Sequence, residues 1–296
     1  MKSNVFFALV LLLVTACKVD PPATDRSISE LEKAMETNAS DSLTQSLISA
    51  YRTHIADHPT DSELNSTYWH KTAILLAKKN QFANAAQVLQ QAIKSYPTAS
   101  GTPKNLHLLA DLYTNQLRMP DLGNDLYNGL ATNYPNYASI DKVKASMKVP
   151  EVALADRISS LISGMYNEET HFLDRTKATK YINACEVYAI NNPKDEKAAE
   201  YLFKAAETCR TIKNYPKALE IYDWIYNSFG SYPKHGQALF LKAFTLDNDM
   251  KKYELARPVY EEFLAKHPDD VFAKDTPFLL KNLGKSDNEI INNFGK

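Results

Sequence analysis

From Ser27 onward, apolar residues recur at helical spacing in one stretch after another, as in Leu106, Leu109 and Tyr113, or Tyr222 and Ile225. The stretches are punctuated by an aromatic or polar residue and a proline: His58-Pro59, Tyr96-Pro97, Tyr134-Pro135, Asn192-Pro193, Tyr232-Pro233 and His267-Pro268. Proline lacks the N–H that would continue a helix, and its ring clashes with the preceding turn, so each pair reads as a helix stop. The stops lie 38, 38, 58, 40 and 35 residues apart. Most of these intervals fit two antiparallel helices, which predicts one hairpin used repeatedly and a divergent unit in the longest interval.

Small residues support a fixed register. Ala73 and Ala85 precede Pro97, Ala110 and Gly123 precede Pro135, and Ala243 and Ala256 precede Pro268. Ala206 and Ala218 take the same places in a unit that closes near Phe229. Two helices approach closely only where the facing side chains are small, so each pair predicts a crossing point. Ser27-x-x-Glu30, Thr60-x-x-Glu63 and Ser286-x-x-Glu289 have the spacing of capping boxes at helix starts. Residues 286–296 are expected to form a capping helix, Asp287–Phe294, and a tail that cover the end of the row. Segment 141–175 carries no clean signature. Pro150 between two helical stretches predicts a helix pair there that widens or bends the row.

Trp69, Ala73, Leu76, Ala85, Leu89, Ala92 and Pro97 occupy the signature positions of the tetratricopeptide repeat (TPR), which this unit resembles. Leu239, Ala243, Leu246, Ala256, Tyr260, Phe263 and Pro268 do the same with one residue inserted between the helices. The resemblance implies an all-α fold, a right-handed superhelical solenoid of TPR-like helical hairpins over residues 27–285. It also implies that the first helix of each hairpin lines a groove for protein partners. By position these residues are His70 and Ile74, then His107 and Asp111, then Phe203, Glu207 and Arg210, then Phe240, Phe244 and Asp247. Aromatics beside charges suit capture of an extended peptide or a partner helix.

Ahead of the repeats, Lys2 and the apolar run Val5–Val14 have the layout of a signal peptide, too short to span a bilayer as a mature helix. Val14-Thr15-Ala16-Cys17 resembles the bacterial lipobox, with Val14 where Leu is most common. That resemblance implies residues 1–17 as a lipoprotein signal peptide, cleaved before Cys17, whose thiol carries a diacylglycerol. Residues 18–26, with Pro21-Pro22, cannot bury a core and read as a flexible tether. Lys18 is not the aspartate that retains some lipoproteins at the inner membrane. The expected location is therefore the outer membrane, anchored through Cys17 and facing the periplasm.

Composition narrows the function classes. Eight Gly against 17 Tyr and 12 Phe suit packed helices better than turn-rich β structure. The net charge is −1, and cleavage before Cys17 removes only Lys2 from 34 basic residues and none of the 35 acidic ones. With no basic stripe there is no electrostatic footprint for nucleic acid. No phosphate loop, nucleophile elbow, His-Glu-x-x-His or Cys-x-x-Cys is present, so neither an enzyme nor a cofactor is expected. His54 and His58 lack further ligands nearby, and the single Glu168-x-x-His171 is half of a di-iron pattern; no metal is expected. Cys185 and Cys209 fall on consecutive helices, where a disulfide is geometrically open, although two small buried hydrophobes is the reading favoured.

Ala238–Pro268 is similar to repeats in the lipoprotein component of the outer-membrane β-barrel assembly machine, and in the periplasmic coordinator of envelope constriction and cell-wall synthesis. These resemblances imply a lipid-anchored scaffold for envelope proteins. The alternative is a glycan-binding lipoprotein of a nutrient-uptake system, against which Trp69 and Trp224 both sit where the repeat core expects bulk.

Overall fold

The computed structural model describes residues 27–148, 150–166, 173–286, 288, 289 and 291. The signal segment, Cys17, the tether, the Glu168/His171 pair and most of the expected capping helix Asp287–Phe294 lie outside the described residues. The chain divides into two compact units, one ending at His58 and one beginning at Pro59. In the first, α1 (Ile28–Thr37) packs on α2 (Asp41–Asp57). Ser27 and Glu30 form the predicted capping box, each side chain accepting the other's backbone N–H. Leu31, Leu47 and Tyr51 are buried, and the Tyr51 hydroxyl donates to Glu32 at 2.5 Å.

The second unit is a row of helical hairpins. α3 (Ser62–Lys78) pairs with α4 (Phe82–Ser95), and α5 (Thr102–Asn115) with α6 (Pro120–Asn133). After α7 (Ile140–Ser146), α8 (Leu154–Ser163) pairs with α9 (Arg175–Asn191). Then α10 (Glu196–Thr211) pairs with α11 (Tyr215–Ser228), and α12 (His235–Phe244) with α13 (Tyr253–Lys266), on which α14 (Thr276–Asn282) packs. Among the described residues this is an all-α solenoid. All the alanines expected at helix crossings are wholly buried: Ala73, Ala85, Ala110, Ala206, Ala218, Ala243 and Ala256. At Gly123 a Cβ would lie 2.8 Å from the Ala110 carbonyl oxygen, so α6 lies against α5 at a distance that only glycine allows.

The second helix of every hairpin ends in one conformation. His58, Tyr96, Tyr134, Asn192, Phe229 and His267 all have φ between −132° and −125° and ψ between 54° and 58°. A following proline excludes the α region at these residues. Phe229 adopts the same angles before Gly230, so the geometry belongs to the repeat and proline only reinforces it. This corrects the reading of Tyr232-Pro233 as a stop: the helix has already ended, and Pro233 sits in the turn before α12. The aromatic residue before the stop also ties repeats together. The Tyr96 hydroxyl reaches the Pro59 carbonyl at 3.4 Å, and the Tyr134 hydroxyl reaches the Pro97 carbonyl at 3.3 Å.

Between the two helices of four hairpins, one residue takes a left-handed conformation: Asn80 (φ 58°), Arg118 (φ 56°), Lys213 (φ 60°) and Lys251 (φ 54°). Glycine is the usual choice there and the sequence does not use it, so these turns leave no compositional trace. The residue inserted in the last repeat is absorbed as a π-helical turn, Thr245–Asp249, that continues α12. A second correction concerns the start of α3. Asp61, not Thr60, caps it, accepting from the Leu64 N–H at 3.2 Å. Glu63 instead reaches the next hairpin, where its carboxylate accepts from the Ser100 N–H at 3.0 Å and from the Ser100 hydroxyl. At the other end, Ser286 N–H and hydroxyl both donate to Glu289, at 2.7 and 2.8 Å, as that spacing predicts.

Two helices flank Pro150, but they do not wedge the row apart. α6 packs directly on α9, while α7 lies on α6 and α8 on α9. The α6–α9 contact is close because Gly129 has no side chain: a Cβ there would collide with the Asn191 amide. Asn191 Nδ2 donates to the Asp125 carbonyl, and Asn133 Nδ2 donates to the Asn191 carbonyl, both at 2.8 Å. Arg157 of α8 pairs with Asp125 of α6, which fastens the excursion to the row. The long proline interval therefore holds the expected helix pair, α7 and α8, between two helices that still meet.

Candidate partner-binding site

The residues expected to line a groove divide by register. The position three before the small crossing residue is covered by other parts of the chain. His70, Phe203 and Phe240 are buried there, and His107 is nearly so, with a side chain 17% exposed. His70 Nδ1 sits 2.9 Å from the Asn105 side-chain oxygen, and Asn105 in turn donates to Ser66 at 3.0 Å. Burial, helped by the nearby Lys104, lowers the His70 pKa, against the hydrogen bond to Asn105. Phe203 packs on Tyr222 and Tyr232, with the Lys234 ammonium 5.0 Å from its ring. Phe240 packs among Phe244, Tyr260, Phe263 and Phe272, whose ring stacks on it at 4.3 Å. The expectation that His70, Phe203 and Phe240 present open surface is corrected: His70 is covered by the next hairpin, and Phe203 and Phe240 by the second helix of their own hairpin and the turn that follows it.

The next outward position holds Ile74, Asp111 and Phe244, which are half-buried, and Glu207, which is exposed. Most of their polar groups already have partners. Asp111 accepts from the Tyr127 hydroxyl, and His107 Nδ1 lies 3.3 Å from the Tyr137 hydroxyl. Arg210 Nε donates to Asp249 at 2.7 Å, and its guanidinium lies 5.3 Å from the Phe244 ring. Asp247 accepts from the Tyr260 hydroxyl at 3.3 Å, and burial raises its pKa against that bond and Lys251. The structure brings together Arg210 of α10, Phe244 of α12 and Asp249 of the π-helical turn.

A larger feature lies on the second helices. Lys94 of α4 contacts Glu186 of α9 at 2.8 Å and Glu220 of α11 at 2.7 Å. Lys217 contacts the same two carboxylates at 2.8 and 3.2 Å. The side chains of Lys94 and Glu186 are only 5% and 1% exposed, and Lys94 Nζ lies 4.6 Å from the Trp224 ring centroid. Burial alone would raise the Glu186 carboxyl, but Lys94 and Lys217 hold it below the ordinary carboxylate range. Burial opposes the charge on Lys217, yet Glu186 and Glu220 keep its pKa above the usual lysine value. Charges balance in this tetrad, which is what permits its burial. Beside it, Gln90 donates to the Tyr113 hydroxyl at 2.8 Å, and burial with Glu186 and Glu220 pushes that phenol up. Cys185 and Cys209 are free and buried, each raised to about 12 by burial, as expected of small hydrophobes.

Above the tetrad a cleft of about 1610 Å³ opens between the last turns of α4, α6, α9 and α11. Its walls include Lys94, Ser95 and Tyr96, then Asn133 and Tyr134, then Ile190–Asn192, and finally Tyr226–Phe229. The last carbonyls of a helix lack intrahelical partners and form the negative end of its dipole. The last turns of four helices line this space, and several of their carbonyls accept from the turns that follow: Tyr96 from Ala99, Tyr134 from Tyr137, Asn192 from Asp195 and Phe229 from Tyr232. The lining also carries Asp195, Glu220, Asp223 and Glu262 against Lys94, Lys194 and Lys242, and Lys242 is tied to Asp223 at 2.6 Å. Glu220 is likewise tied to Lys94 and Lys217, and Glu262 to Lys266. Sequence reasoning missed the cleft because its parts are 92 and 126 residues apart in the Lys94 contacts. The available signal was Glu186, a charge flanked by Cys185 and Val187 on an otherwise apolar helix face.

The tetratricopeptide repeat family model matches residues 69–99 and 237–270. The first stretch runs from Trp69 in α3 past the end of α4, and the second covers α12, the π-helical turn and α13. No curated protein sequence matches the chain. Tetratricopeptide repeats commonly bind protein partners, so the matched hairpins suggest a scaffold for protein–protein interaction.

Proposed function

We propose that this protein is a lipid-anchored scaffold that holds protein partners in the cell envelope, in outer-membrane assembly or in cell-wall coordination. The observation that carries the reading is that the two matched repeats stand toward opposite ends of one continuous row, α3 to α13. A row of hairpins offers an extended surface of repeated side chains, which suits binding of a chain. Attachment rests on Val14-Thr15-Ala16-Cys17, and the following residues 18–26 give the tether that would hold such a row beside a membrane.

Fractionation of cells expressing wild type and Cys17→Ala tests the anchor. The wild type is expected in the membrane fraction and the variant in the soluble one; retention of the variant in the membrane overturns lipid attachment. In-cell crosslinking of the full chain, followed by mass spectrometry, tests the scaffold. Recovery of an outer-membrane barrel or a cell-wall machine supports it. Recovery of no protein, with binding to a glycan panel, replaces it with nutrient capture.

A further inference from the structure

We propose that His235 and His267 form an acid-sensitive joint: uncharged, they seat the last hairpin, α12–α13, on α11, and a proton on His267 unseats it. The inference goes beyond the scaffold reading and does not depend on it. Three helices meet at the joint. The His235 ring, at the start of α12, stacks on Tyr226 of α11 at 4.5 Å, and its Nε2 lies 2.8 Å from the Tyr226 carbonyl oxygen. A carbonyl only accepts, so that nitrogen carries the proton and donates. His267, at the end of α13, meets the same two rings edge-on, with centroids 5.3 Å from His235 and 5.9 Å from Tyr226, and stacks on Phe263 at 6.0 Å. Its ring lies so close to α12 that a Cβ at Gly236 would come within 2.8 Å of it.

His267 fits this place only without a charge. Its Nε2 is buried and has no hydrogen-bond partner among the described residues. A neutral imidazole can leave one nitrogen unprotonated, whereas an imidazolium carries a donor on both, and here one donor would be buried without an acceptor. The titratable and charged groups that face the ring are Tyr226 from α11, His235 from α12, Glu262 and Lys266 from α13, and Asp270 from the turn that follows. Glu262 is held by Lys266 at 2.7 Å, and Asp270 accepts from the Phe272 N–H at 3.0 Å. Burial, then His235, and also Lys266 lower the His267 pKa, against Asp270 and Glu262. The contribution of His267 to seating is therefore complete above the unfolded histidine value of about 6.5 and is lost as pH falls through the lower folded value.

The test is hydrogen exchange of the full-length chain in neutral detergent, read by mass spectrometry at about pH 7.5 and about pH 5.5, on either side of ordinary histidine titration, and corrected for the intrinsic pH dependence of exchange. Residues 235–266 are expected to exchange about threefold or more faster at the lower pH, while α9, which has no histidine, stays unchanged. His267→Phe keeps a ring against Tyr226 and Phe263 but takes no proton, so the acid response should vanish. His267→Gln, polar and uncharged, should abolish it too and serves if the phenylalanine packs badly. No excess exchange in the wild type overturns the proposal. An acid response that persists in both variants also overturns it, because the titrating group then lies elsewhere. So does an excess of equal size in α9, which marks a global loss of structure rather than a joint. None of these outcomes touches the scaffold reading, which crosslinking decides.

Discussion

Lys213 sits at φ 60° in the turn between α10 and α11, where its Cβ crowds the neighbouring carbonyl. Glycine removes that cost but gains freedom in the unfolded chain, so Lys213→Gly is expected to stabilise by only about 0.5–1 kcal/mol. Lys213→Val, β-branched at the same angles, should destabilise by about 1 kcal/mol or more. Thermal midpoints that move in these opposite directions would verify the turn; equal midpoints would refute it. Glu186 is the second residue whose role is out of proportion to its size. Glu186→Gln leaves Lys94 and Lys217 sharing one carboxylate in a buried space, and a loss of about 3 kcal/mol is expected. The sign with pH follows from the shifts. The Glu186 carboxyl is lowered, so its contribution is complete above the unfolded carboxylate value of about 4.3 and is lost as pH falls through the lower folded value. The Lys217 ammonium is raised, so its contribution is complete below about 10.4 and is lost as pH rises through the higher folded value. The difference in unfolding midpoint between wild type and Glu186→Gln should be flat between these limits and shrink in acid.

At the scale of elements, the hairpin is defined by two contacts and one stop. Ala85 lies at the α3–α4 crossing and Ala256 at the α12–α13 crossing, both wholly buried. Ala85→Leu or Ala256→Leu should overpack its crossing and destabilise by about 1–3 kcal/mol. Wild-type unfolding curves for both would disprove the register that places small residues at the crossings. This register was legible because helical spacing and a repeated small residue are local signals. The same register also explains the misplaced groove residues: His70, Phe203 and Phe240 stand three before their alanines, on a face covered by the next hairpin at His70 and by the second helix of the same hairpin at the two phenylalanines. A reading that assigns the whole first helix to a groove misses that one of its faces must be buried in the hairpin row.

At the scale of the whole second unit, the row is continuous where the sequence looks interrupted. The insertion between Pro135 and Pro193 holds α7 and α8, yet α6 meets α9 through Gly129 and Asn191. This contact brings the later second helices toward α4, so that Lys94 meets residues of both α9 and α11. The tetrad and the cleft are products of that meeting. Neither belongs to any one repeat, which is why repeat-by-repeat reasoning pointed to the first helices and overlooked the second.

Local physics was enough to make this chain a row of helical hairpins. Proline reinforces where most second helices end, alanine and glycine fix where helices cross, and Ser27 and Glu30 cap a helix using only each other. These effects act within a few residues or within one hairpin, so they are written in the sequence. What only the tertiary structure decided is which surfaces remain. Burial of His70, Phe203 and Phe240, the α6–α9 contact and the Lys94–Glu186–Glu220 cluster depend on how the helices pack on one another. A lysine and a glutamate 92 residues apart look like two solvated charges until packing removes the water from around them and leaves each as the other's partner.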